Sequence, residues 1–207
     1  MIGAVTGGQA IRWYEVALVG QETHAGPVPM ANRRDPMPAL ARVIDLVYEV
    51  GTATEPARGT IGVLGVRPGS INVMAGQIEL TVDLRHPEEE ALSGMHEAFL
   101  AGLEAIAAAH DQIELKARQI WHSPVVHFDK TLTEAVRESA KARGLGVQDM
   151  ISGAGHDAFH LARCVPNALV FVPCKDGLSH NEAEYTSPEQ AAAGANVLLD
   201  VALGVAR

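Results

Sequence analysis

The chain has 207 residues, 47% hydrophobic and 20% charged, ordinary proportions for a globular protein that buries a sizeable core. Its formal net charge of -9 argues against a nucleic-acid partner, because phosphate binding calls for a basic surface. No apolar run approaches the length of a membrane span, and Met1-Ile2-Gly3-Ala4 lacks the basic and apolar regions of a secretion signal, so a cytoplasmic protein is expected.

Cys164 and Cys174 form no CxxC pair, which fits buried, reduced thiols better than a disulfide framework. Ile11 to Val19, rich in aromatic and β-branched residues, predicts a strand ending at Gly20. A loop broken by Gly26, Pro27 and Pro29 follows. Asp35-Pro36 then reads as a helix start, and Leu40, Val43, Ile44, Val47 and Val50 keep to one helix face as far as Gly51. Thr60 to Val66 predicts a second strand. Gln77 to Leu84 alternates Ile78, Leu80, Val82 and Leu84 against polar residues, the pattern of a half-buried strand. Pro87 with three glutamates opens a second helix running to about Ala109, and Ile113 to Ile120 predicts a fourth strand.

That order, β-α-β-β-α-β, is the ferredoxin-like arrangement, and it predicts a first domain closing near Trp121. Beyond it lie a helix over Thr131 to Ala142 and a glycine-rich turn, Ser152-Gly153-Ala154-Gly155, before a helix starting near His156. The apolar run Ala168 to Val172 predicts a strand buried on both faces, and Pro188 to about Val205 an alanine-rich helix. One clear strand in roughly 85 residues suggests the end of something larger.

Nine histidines carry the chemistry, since GxSxG, P-loop and GxGxxG patterns are missing. His156 and His160 have zinc-binding HxxxH spacing, but an aspartate stands where a general-base glutamate is expected, which favours a loop-anchoring His156 and a packed His160. His180 sits in a loop after a predicted strand, where α/β sheets place ligand sites; it reads as a metal ligand or an ordinary loop histidine. His24 lies in a proline-stiffened loop. Asn72 and Arg85 could hold a carboxylate, although a strand-end arginine is more often a surface ion-pair partner.

Together Gln9 to Tyr14, His24 to Met30 with Arg33-Arg34-Asp35, Ile71-Asn72-Val73, Asp83 to Pro87, Ser152 to Ala158 and Ser179-His180-Asn181 resemble the M20-type metallo-amidohydrolases. The branch is that of N-carbamoyl-L-amino-acid hydrolase, β-ureidopropionase and allantoate amidohydrolase. The resemblance implies an α/β protein: a lid or dimerisation domain over residues 8–121, then the C-terminal portion of a metallopeptidase-like catalytic domain over 122–207. It implies that His180 is the last metal ligand, with zinc or manganese as the ion. It makes His24 the group that polarises the scissile carbonyl, often from the neighbouring subunit, and Asn72 with Arg85 the carboxylate grip. Gly153, Ala154 and Gly155 become a backbone wall of the substrate pocket. A small ureido acid as substrate and a homodimer formed through the lid follow from the same resemblance. The remaining ligands and the general-base glutamate belong to the family's N-terminal half, so the expectation is a C-terminal fragment that is inactive or nearly so alone. A non-catalytic dimerisation or carboxylate-binding module, and allantoate as the parent substrate, are the alternatives.

Overall fold

A computed structural model describes residues 1–205. In chain order the elements are β1 (Ile2–Gly8), β2 (Ala10–Val19), β3 (Thr23–His24), α1 (Met37–Thr52), β4 (Arg58–Arg67), β5 (Val73–Met74), β6 (Gln77–His86) and α2 (Glu89–Ala109). There follow β7 (Glu114–Ser123), β8 (Val126–His127), α3 (Lys130–Ala142), β9 (Val147–Ser152), α4 (Asp157–Leu161), β10 (Leu169–Phe171) and α5 (Pro188–Val205). The chain divides into two compact units, Ala10–Pro124 on the one hand and Met1–Gln9 with the residues from Val125 onward on the other. The mixed α/β architecture expected from the sequence is the one observed.

The Ala10–Pro124 unit is an antiparallel sheet in the order β4-β6-β2-β7, with α1 and α2 packed on one face. Tyr14, Val16 and Leu18 of β2 and Ile78, Leu80, Val82 and Leu84 of β6 point to the helices and are fully or almost fully buried. Their neighbours Trp13, Glu15, Thr81, Asp83 and Arg85 share the opposite face. α1 begins one residue later than expected, with Pro36 as its cap, and Asp35 Oδ1 accepts the Met37 N–H at 3.0 Å. Under α2 the Tyr14 hydroxyl meets His96 Nδ1 at 2.8 Å, and Arg12 donates to Ser93 Oγ at 3.0 Å. Burial raises the tyrosine's pKa and lowers the histidine's.

In the other unit β1 is central. It pairs with β9 in parallel along one edge, and with β10 and then β8 antiparallel along the other. Ile2 and Ala4 face α3 and α5, packing on Val136, Ala140 and Val197; Val5 packs on Val126, Phe128 and Phe159. β1 is absent from the predicted elements because three of its seven residues are glycine, which weakens any strand signal. Space explains two of them. A Cβ on Gly7 would stand 2.1 Å from the Val126 carbonyl oxygen, and one on Gly8 would stand 1.8 Å from the Phe159 ring. The expected strand at Ala168 to Val172 forms, but it is half-buried because its three residues pair along one edge only. Cys164 is exposed and Cys174 half-buried, a correction to the expected pair of buried thiols: Cys164 lies in the turn after α4, outside the packed elements. Among the described residues no helix is long and apolar enough to cross a membrane.

Candidate functional site

The chain leaves the sheet after Val19 and returns at Gln77, and the two-stranded ribbon β3-β5 lies within that excursion. It sets His24 opposite Val73, and the Ala25 N–H donates to the Asn72 carbonyl at 2.9 Å, so His24 and Asn72 are neighbours. Arg33, the first residue of the Arg33-Arg34-Asp35 segment, braces the loop by donating to the Ala25 and Val28 carbonyls at 2.6 and 3.1 Å. The Gly26 N–H donates to His24 Nδ1 at 3.0 Å. That bond makes Nδ1 an acceptor and puts the proton of the neutral ring on Nε2, at an exposed side chain. Ser70 donates to Asn72 Oδ1 at 3.0 Å, which commits the amide oxygen and leaves the amide N–H groups as donors.

Arg85 is placed differently. It lies on the helix-free face of β6, eight residues from Gln77, which is about 27 Å at the rise of an antiparallel strand. Asp83, two residues back on the same face, takes its Nε at 2.9 and 3.0 Å and its Nη2 in a short bond. Arg85 is thus ion-paired to Asp83, the role the sequence left open for a strand-end arginine, and the signal for the pair was an opposite charge at i, i+2 on one strand face. The structure therefore brings His24 and Asn72 together and sets Arg85 at the far end of β6.

In the other unit the Ser152–Gly155 turn follows β9. Gln9 holds it from β1's end, donating through its backbone N–H to the Ser152 carbonyl at 3.1 Å and through Nε2 to the Gly153 carbonyl at 2.8 Å. The Ala154 N–H is taken by Ser152 Oγ at 3.2 Å. His156 packs its ring against Phe159 and Phe171 at the start of α4, whereas His160 is exposed rather than packed. His180 stands in an exposed loop with φ 55°, a left-handed backbone unusual for a residue with a side chain, and its N–H donates to Glu184 Oε2 at 3.1 Å.

A divalent ion held by protein needs about four donors. Among the described residues no three His, Cys, Asp or Glu side chains cluster, so the residues present, His180 among them, do not fit a complete metal site.

The profile of peptidase family M20/M25/M40 matches residues 14–204. The chain is 38% identical over 206 residues to the N-carbamoyl-L-amino-acid amidohydrolase of Rhizobium meliloti, covering 99% of this chain and 49% of that protein. It is 32% identical to the allantoate amidohydrolase of Bacillus subtilis, covering 97% of this chain and 48% of the relative. A crystal structure of a hydantoinase/carbamoylase-family amidase from Burkholderia vietnamiensis superposes with a TM-score of 0.94 at 44% identity, covering 98% of this chain and 49% of that one. The chain thus spans about half the length of the relatives it matches.

Proposed function

The chain belongs to peptidase family M20/M25/M40, and from that membership we propose that it serves a divalent-metal amidohydrolase that cleaves the ureido C–N bond of N-carbamoyl-L-amino acids. Amidohydrolases of this family generally depend on divalent metal; zinc or manganese is the proposed ion. The Ala10–Pro124 unit, close to the expected 8–121, is the lid, and Met1–Gln9 with the residues from Val125 onward is a portion of the catalytic domain. In the overall reaction one water and one N-carbamoyl-L-amino acid give the free amino acid, ammonia and carbon dioxide.

Within this reading His180 donates to the metal. Arg85 and the Asn72 amide hold the substrate carboxylate, His24 donates through Nε2–H to the carbonyl oxygen that gains charge, and the Gly153-Ala154-Gly155 turn walls the pocket. The observation that carries it is the Gly26 N–H on His24 Nδ1, which makes Nδ1 an acceptor and leaves Nε2 as the ring's donor.

The length of β6 adds a condition. Arg85 of one copy acts with His24 and Asn72 of another, so the working unit is a homodimer. Edge strand β4 provides the contact: Arg58 lies opposite Arg85, Arg67 lies opposite Gln77, and the Gly76 N–H donates to the Arg67 carbonyl. Two copies paired antiparallel along β4 bring the Arg67 end of one beside the Arg58 end of the other.

Ammonia release from N-carbamoyl-L-amino acids, with allantoate as comparison and manganese or zinc added, tests the chemistry. The 207-residue chain alone gives none above a metal-only blank; turnover that vanishes in His180→Ala would mean that these residues assemble a metal site of their own. Sedimentation tests the dimer. Twice 21.9 kDa is expected, falling to one copy in Val63→Glu, which puts a charge on the exposed edge of β4. A monomeric parent chain refutes it.

A further inference from the structure

The helix-free face of the β4-β6-β2-β7 sheet carries a feature that the hydrolysis reading leaves unused. Trp13 on β2 and Trp121 on β7 are cross-strand partners, and their rings stand 4.6 Å apart at 44°. They are the chain's two tryptophans. Trp13 keeps 40% of its surface exposed, although β2 buries Tyr14, Val16 and Leu18 completely or almost completely on its other face.

The neighbours of this pair give it a direction. Trp13 lies directly opposite Asp83 on β6, and Arg85 is the next residue of β6 on the same face, diagonal to Trp13. Diagonal neighbours on one face are about 7 Å apart, within reach of large side chains. Asp83 fixes the Arg85 guanidinium in that position. Arg58, opposite Arg85 on β4, turns its Nη1 to the Pro56 and Ala57 carbonyls, so this end of the face carries two guanidinium groups against the Asp83 carboxylate. An arginine ion-paired to Asp83 thus stands one diagonal step from an exposed aromatic surface. A molecule with a carboxylate and an aromatic group on adjacent carbons spans that step. A tryptophan pair that served only to stabilise the sheet would need neither the exposure nor the neighbouring arginine.

We propose that Trp13 and Trp121 form the side-chain subsite of the substrate, next to the carboxylate grip at Arg85, and select N-carbamoyl-L-amino acids with aromatic or large apolar side chains over N-carbamoylglycine. The inference rests on the reading of Arg85 as the carboxylate grip. An aromatic contact of this kind gives a preference of about three- to tenfold.

Because both tryptophans lie in the subsite, intrinsic fluorescence of the whole 207-residue chain reports on it. The chain is titrated with N-carbamoyl-L-phenylalanine, N-carbamoylglycine and phenethylurea, which lacks the carboxylate. The phenylalanine derivative should change the emission saturably at a concentration about three- to tenfold below that needed for the glycine derivative, and phenethylurea should not saturate. Trp13→Leu keeps a strand-compatible apolar residue and leaves Trp121 as reporter; it should erase the preference while glycine-derivative binding persists. Arg85→Ala should weaken both carboxylate ligands. Equal midpoints in the parent chain, or a preference that survives Trp13→Leu, would overturn the aromatic subsite and leave the grip standing. No saturable change with either carboxylate ligand, or none lost in Arg85→Ala, would overturn the grip and the subsite together.

Discussion

The contact between Gly8 and Phe159 holds β1 to α4 and offers a quantitative test of how this unit is packed. A Cβ on Gly8 would lie 1.8, 2.2 and 2.5 Å from three carbons of the Phe159 ring, whereas carbons rest at about 3.5 Å or more. Gly8→Ala therefore forces the ring to move by roughly 1.5 Å or β1 to shift, an overpacking cost of about 1–3 kcal/mol. Phe159→Ala removes a ring that is 3% exposed and packed on Val5, Val126 and Phe128, which costs about 3–5 kcal/mol. Independent sites would add to about 4–8 kcal/mol in the double variant, a large share of a typical domain's stability. The two sites are not independent, since the methyl group introduced by Gly8→Ala occupies space that the lost ring leaves behind. The double variant should be no less stable than Phe159→Ala alone. Urea unfolding followed by far-ultraviolet circular dichroism gives the three differences. Additive losses in the double variant would refute the packing described for Gly8.

Two pH-dependent effects follow from shifted side chains, one in each unit. Burial, and after it the positive charge of Arg12, holds the His96 imidazole below its usual value. The neutral ring that meets the Tyr14 hydroxyl is favoured in the fold, so its stabilising effect is complete above the ordinary imidazole range and is lost as pH falls through the lower folded value. The urea midpoint should drop between about pH 7.5 and about pH 5, and His96→Gln should flatten that drop; an unchanged slope would remove His96 as its cause. Asp200 is held at about 2 by hydrogen bonds from Arg143 and Ser139. Its contribution to stability is present above the ordinary carboxylate value and lost as pH falls through about 2. In Arg143→Ala the Asp200 carboxyl, followed by carbon NMR, should titrate closer to 3.8; an unmoved titration would assign the effect to Ser139.

Period and punctuation within about ten residues decided much of this protein. Alternation from Gln77 to Leu84 marked β6, the Leu40–Val43–Val47–Val50 face marked α1, and the order of these elements implied the ferredoxin-like sheet, because each pattern is local to its element. Residue type and position singled out His24, Asn72, Arg85 and His180, and the family resemblance supplied the roles expected of them. It missed β1, whose identity as a central strand comes from partners far along the chain, Val147 to Ser152 and Leu169 to Phe171, and whose glycines answer to the Val126 carbonyl and the Phe159 ring. It could not see how far along β6 Arg85 lies from the loop that carries Asn72, that Gly26 donates to His24 Nδ1, or that Trp13 lies one diagonal from Arg85. Strand pairing sets those relations. Pairing joins residues whose separation in sequence carries no signature of their distance in space, so the element types were legible in the sequence and the site's geometry was decided only in the folded chain.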